Sequence, residues 1–419
     1  MITTKNNEHK KLNFSSEREQ GQACLNSAEH EKNQGRKVLN VPNLRFPEFQ
    51  GEWEKCILGD ITENFNLRNK DKIQYPMFSV TNDRGFVPQS EQFEGRDMVG
   101  EDIKAYKIIH TNDFAYNPAR INVGSIAIYT GEKPCMISSL YVCFKTTKEV
   151  NNEWLMQLLK TPKMNYYYNV NGEGGVRVYL FYPNFARIRM SIPKIEEQKK
   201  IAKLLNLIDE RIATQNKIIE DLKKLKSAII EKLYSEIQGK EYSFGQLFDV
   251  VNERNKQMEY SNILSASQEK GMMNRDDLNL DIQFERSNIN TYKIVRKGDY
   301  VIHLRSFQGG FAFSNKLGVC SPAYTILRPN NLLEYGYLSN YFTSQRFIKS
   351  LILVTYGIRD GRSINVDEWL GMKTTIPSKE HQQYIVKAIG SFDRKIESEE
   401  AYATHLSKQK QYLLRQMFI

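Results

Sequence analysis

Apolar residues recur at alternating four- and three-residue steps from Ile201 onward: Ile201, Leu205, Ile208, Ile212, Ile219, Leu222, Ile229 and Leu233. That rhythm holds one stripe of a helix toward a partner helix. The same stripe returns 184 residues later as Ile385, Ile389, Phe392, Ile396, Ala403, Leu406, Leu413 and Met417, within a repeat of 193–235 by 377–419. Even the interruptions coincide. Gln215 matches Glu399 and Lys226 matches Lys410, which predicts one shared register. Roughly forty helical residues make a rod on the order of 60 Å long, and the natural cover for such a stripe is the other copy.

Upstream of each helix the pattern changes about every ten residues. Short β-rich runs at 107–110, 125–129 and 140–144 alternate with turn clusters such as Thr81-Asn82-Asp83-Arg84-Gly85, and a helical stretch follows from Asn152 to about Tyr168. Runs at 293–295, 301–304 and 324–327, with a helix near 335–351, mirror it. Single residues repeat as well. Arg68, Asn69 and Lys70 are answered by Arg254, Asn255 and Lys256, Tyr106 to Ile109 and Asp113 by Tyr292 to Val295 and Asp299, and Tyr141 by Tyr324. The turn Gly174-Gly175-Val176-Arg177 finds its counterpart in Tyr356-Gly357-Ile358-Arg359. The pattern predicts an α+β chain: two mixed α/β globules in pseudo-two-fold repeat, separated by two long antiparallel coiled-coil helices. The expected divisions are a disordered extension at 1–40, globules at 41–192 and 240–376, and helices at 193–239 and 377–419.

A formal charge of +10 favours a polyanionic partner, although the excess is spread thinly along the chain, so any basic surface must be assembled by folding. Five cysteines form no CxxC pair and the six histidines lie apart from them, which predicts neither a zinc site nor a disulfide framework and fits a cytoplasmic setting. No run approaches the roughly 20 apolar residues of a membrane span. Nucleotide-binding loops, GxSxG and HExxH are absent. Asn117-Pro118-Ala119-Arg120 lacks the second proline and the aromatic of an adenine-methyltransferase motif, so it reads as a turn. Glu197-Gln198-Lys199 lacks an acidic partner on a strand and reads as a solvated helix face. Tyr166-Tyr167-Tyr168 and Tyr179-Leu180-Phe181-Tyr182, interleaved with Arg177, Arg187 and Arg189, could flank nucleic acid, with core packing the weightier reading. The pattern is that of a scaffold and reader without catalytic groups. A stand-alone interaction protein and an independent nuclease or methyltransferase remain as rivals.

The opening VPNLRFPEFQGEWEKCILGDITE and the helix IPKIEEQKKIAKLLNLIDERIATQNKIIEDLKKLKSAIIEKLYS, with its diverged second copy, resemble the specificity (S) subunit of type I restriction-modification systems. The likeness extends from Val41 to Ile419. It implies that each globule is a target recognition domain reading one half of a bipartite, asymmetric site in double-stranded DNA. It also implies that the helices hold two modification subunits, which bind S-adenosylmethionine and methylate adenine at N6. Two restriction subunits would add ATP- and Mg-dependent translocation and cleavage, and this chain would carry no cofactor of its own. His381-Gln382-Gln383 departs from the pattern at the start of the second helix, where the first has Glu197-Gln198-Lys199.

Helices joined in this order must run head to tail, and their length would set the phase between half-sites read in successive grooves. Lys70, Arg84, Arg96, Arg120 and Arg177 in the first globule, and Arg254, Lys256, Arg305, Arg359 and Arg362 in the second, are the expected phosphate and base contacts. Asn117, Asn122 and Gln308 are the expected base-reading amides, with turn capping as the alternative.

Overall fold

The computed structural model describes residues 39–92, 103–174, 178–267, 270–278, 286–303, 310–356 and 363–419, so the extension expected at 1–40 lies almost wholly outside the described residues. The chain divides into two compact units, one built from the residues up to Ile208 together with Gln409–Ile419, the other from Asp209–Lys408.

In the first unit the alternating runs pair into a four-stranded antiparallel sheet in the order Thr62–Phe65, Val142–Thr146, Phe114–Tyr116, Ile126–Ile128. One face buries Phe114, Tyr116 and Phe144 against Trp154, Leu155, Tyr168 and Phe185, with the Phe114 and Phe144 rings stacked at 4.8 Å. The second unit repeats the order with Phe248–Val251, Thr325–Pro329, Tyr300–Ile302 and Phe311–Phe313, and its core gathers on Phe244, Phe342, Phe347 and Trp369. The single helix expected from Asn152 is broken in two, Asn152–Leu159 and Pro162–Asn171. Pro162 cannot supply an amide hydrogen inside a helix, and the Thr161 hydroxyl accepts from Met164 N–H to start a new one. The second unit breaks at the matching point, where the Ser344 hydroxyl accepts from Phe347 N–H to open Gln345–Ser350.

The buried polar groups repeat too. Asp113 accepts His110 N–H at 2.8 Å and Asp299 accepts Arg296 N–H at 2.8 Å, each closing the turn before a central strand. Lys107 and Lys293 each donate from Nζ to a tyrosine carbonyl, Tyr141 at 2.5 Å and Tyr324 at 2.7 Å.

The two long helices are Ile195–Ser235 and Lys379–Met417. Within the first unit, Ile201, Ala202 and Leu205 share a core with Leu414 and Met417. Within the second, Arg211 Nε donates to Tyr402 Oη at 3.1 Å, Gln215 donates to the Glu399 carboxylate, and Lys226 pairs with Asp393 at 2.5 Å. Partner numbers fall as residue numbers rise, so the helices are antiparallel. Gln215 and Glu399, which bond each other here, are also each other's repeat counterparts. Of the expected stripe, Ile201, Leu205, Ile219, Ile385, Ile389, Ile396, Leu406 and Met417 are buried. Ile208, Ile212, Leu222, Ile229, Leu233, Phe392 and Leu413 are half-buried. Ile230, Tyr234 and Leu414 are buried more deeply than Ile229, Leu233 and Leu413 beside them, because the helix ends face the cores of the globular parts as well as a helix.

The joint between globule and helix corrects the reading of Glu197-Gln198-Lys199 as a solvated face. Glu197 and Gln198 are both buried. Glu197 accepts from Arg45 Nη2 at 2.7 Å, Arg45 Nε at 2.8 Å and Trp53 Nε1 at 3.3 Å. Gln198 donates to Glu149 O at 3.0 Å and Pro193 O at 2.8 Å while accepting Asn151 N–H at 2.8 Å. Gln382 does the same in the second unit, with Leu332 O and Pro377 O at 3.0 Å and Glu334 N–H at 2.7 Å. The spacing placed both residues on a helix; apart from the proline carbonyl just upstream, the polar groups that meet them come from loops distant in sequence.

Candidate nucleic-acid interface

At one edge of the first unit several loops are tied into a single surface. Phe78–Thr81 and Gly85–Pro88 form a hairpin whose tip carries Arg84; the Thr81 hydroxyl accepts Arg84 N–H at 3.1 Å, and Gly85 supplies the positive φ the turn demands. Arg84 is exposed and stands 4.0 Å from Glu91. Behind the tip, Ser125 Oγ donates to Val80 O at 2.7 Å. Gly124, with φ +101°, lets the backbone pass so near Asn82 that a Cβ there would meet its carbonyl at 3.3 Å. The hairpin and the turn at 117–124 are thus held together, and Arg84 and Arg120 belong to one surface.

Within that turn the expected amides part ways. Asn117 Oδ1 accepts Ala119 N–H at 3.0 Å, which makes it a turn cap. Asn122 caps nothing among the described residues: its Nδ2 donates to Asn169 Oδ1 at 3.0 Å, and Asn169 Nδ2 donates to Asn165 O at 2.8 Å. A cleft of about 400 Å³ runs between these groups, lined by Asn82, Asn122, Val123, Lys160, Asn165 and Tyr168 among others. Glu173 and Tyr179 exchange backbone hydrogen bonds at 2.8 Å to make a short ribbon, and Leu180 N–H donates to Pro118 O at 3.0 Å, which fixes the ribbon beside the same turn.

The aromatic clusters divide. Tyr168 and Leu180 are core residues, with the Tyr168 hydroxyl donating to Leu159 O at 2.7 Å. Tyr166, Tyr179 and Phe181 are exposed, and the rings of the last two stack 6.3 Å apart. Alternation along the chain could not foretell which ring of a run of aromatics points inward.

Lys70, Arg254 and Lys256 are exposed on turns built alike. Asn69 bonds both Ile73 N–H and Ile73 O, Asn255 bonds Tyr260 in the same manner, and Lys72 and Met258 share a φ of +53°. The turn carrying Lys70 is tied instead to Tyr106 and Met136, a different part of the first unit. Arg96, Arg177, Arg305, Gln308, Arg359 and Arg362 lie outside the described residues. Asn82, Val123 and the helical pair Asn165 and Asn169 escaped sequence reasoning because they come from three segments tens of residues apart in the chain.

The chemistry of the surface is recognition. Amides, two hydroxyl residues, apolar atoms and one lysine line the cleft, with no carboxylate, histidine or thiol in its lining. Burial pushes the Cys135, Cys143 and Cys320 thiols up to about 12, so they are protonated and poor nucleophiles near neutral pH. Among the described residues no group of His, Cys, Asp and Glu is placed to hold a metal, and no helix is long and apolar enough to cross a membrane.

Residues 50–224 match the model of the type I restriction modification DNA specificity domain. A Methanocaldococcus jannaschii protein assigned as the type I restriction enzyme MjaX specificity subunit is 23% identical over 412 residues, covering 90% of this chain and 95% of that protein. The MjaVIII specificity subunit of the same organism is 27% identical over 197 residues, 46% of this chain and 43% of that protein. Two solved structures share the fold. One comes from work on complex assembly and conformational transition of the type I R-M system, with a TM-score of 0.56 at 13% identity over 86% of this chain and 96% of its own. The other is the type I S subunit of M. genitalium, with a TM-score of 0.52 at 14% identity over 90% and 99%. The duplicated globules and paired helices thus have the fold of a type I S subunit. Over residues 50–224 the chain matches the type I restriction modification DNA specificity domain, and over most of its length it is similar to type I restriction enzyme specificity subunits.

Proposed function

We propose that this chain is the sequence reader of a type I restriction-modification complex, each globular unit reading one half of a bipartite, asymmetric site in double-stranded DNA. The observation that carries this reading is a repeated frame bearing unlike loops. Asn69 and Asn255, Lys107 and Lys293, Asp113 and Asp299, and Gln198 and Gln382 make the same bonds in both units, while the exposed turns between them differ in sequence. A common frame with divergent loops supports two related sensors with different targets. In this reading 41–192 and 240–376 are the recognition domains, and the helical segments 193–239 and 377–419 set half-site separation and dock two modification subunits. Those subunits supply S-adenosylmethionine chemistry at adenine N6, and two restriction subunits bind ATP and Mg for cleavage. Exposed Lys70, Arg84, Arg120, Arg254 and Lys256 contribute phosphate contacts, which set affinity and its salt dependence. The test is single-molecule mapping of N6-methyladenine in a host carrying and lacking this chain beside its modification subunit. The reading requires one bipartite motif that vanishes with the chain; methylation unaffected by its removal would refute it.

A further inference from the structure

We infer that Asn122 and Val123 read one A·T base pair in the major groove, with Asn169 holding the Asn122 amide in place; this rests on the DNA-reading function proposed above. Asn122 is half-buried at the rim of the cleft, and one of its amide hydrogens is engaged by Asn169 Oδ1 at 3.0 Å. Asn169 is itself fixed, since its Nδ2 donates to Asn165 O one turn earlier in the same helix at 2.8 Å. This chain of bonds restrains the Asn122 carboxamide and leaves Oδ1 and the second Nδ2 hydrogen unused among the described residues. An acceptor beside a donor complements the N6 donor and N7 acceptor of adenine. Guanine offers two acceptors on that edge and would set one against Oδ1. Val123 follows directly, 55% exposed on a tight turn, and offers an apolar surface of the kind that meets the thymine C5 methyl. Exposed Arg84 and Arg120 on the same surface suit the flanking phosphates. Asn117 is the internal contrast: it sits five residues earlier, but its Oδ1 is occupied by Ala119 N–H.

The full chain, assembled with its modification subunit, is used to select from a randomised duplex library, and the enriched sites are compared among variants. The wild type is expected to enrich a bipartite motif, and Asn122→Ala to lose its preference at a single A·T position by roughly five- to hundredfold while the other half-site is unchanged. Asn122→Asp, which keeps the shape but only accepts, should move that position toward C·G. Asn169→Ala should relax the same position more weakly, and uracil in place of thymine should cost the wild type affinity there but not the Val123→Ala variant. If the wild type enriches a bipartite motif and Asn122→Ala and Asn122→Asp enrich the identical one, the inference falls while the proposed function stands. If the wild type enriches no motif, both fall.

Discussion

Replacing Gln198 and Gln382 with alanine, singly and together, probes the repeated frame. Each side chain is buried and makes three hydrogen bonds to backbone groups, two donated to carbonyls and one accepted from an amide. Truncation removes three bonds at a net value of about 1 kcal/mol each and leaves buried backbone groups without partners, so about 3 to 5 kcal/mol is the expected cost at either site. For a unit of about 200 residues that corresponds to a fall in Tm of roughly 6 to 20 °C. Hydrogen–deuterium exchange read by mass spectrometry assigns the loss to a unit. Gln198→Ala should deprotect the first globule and its helix joint, Gln382→Ala the second, and the double variant should show both losses with little coupling, since the sites share no partner. A cost below about 1 kcal/mol, or deprotection spread equally over both units by one substitution, would refute the claim that these glutamines fasten each helix to its own globule.

Two further outcomes are expected of the helical pair. Ile219→Asp should destabilise the second unit by several kcal/mol, because Ile219 is 8% exposed and an unpaired carboxylate there has no compensating partner; Leu225→Asp, at a site 49% exposed on the same helix, should stay within about 0.5 kcal/mol, and equal melting temperatures for the two would contradict the register. The Glu399 carboxyl is held below its ordinary value of 4.5 by hydrogen bonds from Lys395 and then Gln215. A depressed carboxylate stabilises the fold above its unfolded pKa and loses that contribution as pH falls through the folded one. Glu399→Gln should therefore flatten the acid limb of a stability profile below about pH 4.5.

The plan of this protein is legible in the order of its residues. Because the 184-residue repeat preserves side-chain positions that must be buried, the stripe, the antiparallel register and the matching of Gln215 with Glu399 could be read without coordinates. Periodicity encodes which side of a helix avoids water, and nothing more is needed for a long amphipathic rod. The site was another matter. Glu197 passed for a solvated residue until Arg45 and Trp53 arrived from 152 and 144 positions away. Asn117 and Asn122 looked equivalent, yet one closes its own turn and the other is aimed by Asn169. Which tyrosine of 166–168 faces inward was decided by the break at Thr161-Pro162, which resets the helix phase. These distinctions depend on loops brought together by the sheet, and a polar side chain's partner across tens of residues leaves no period in the chain for a reader to find.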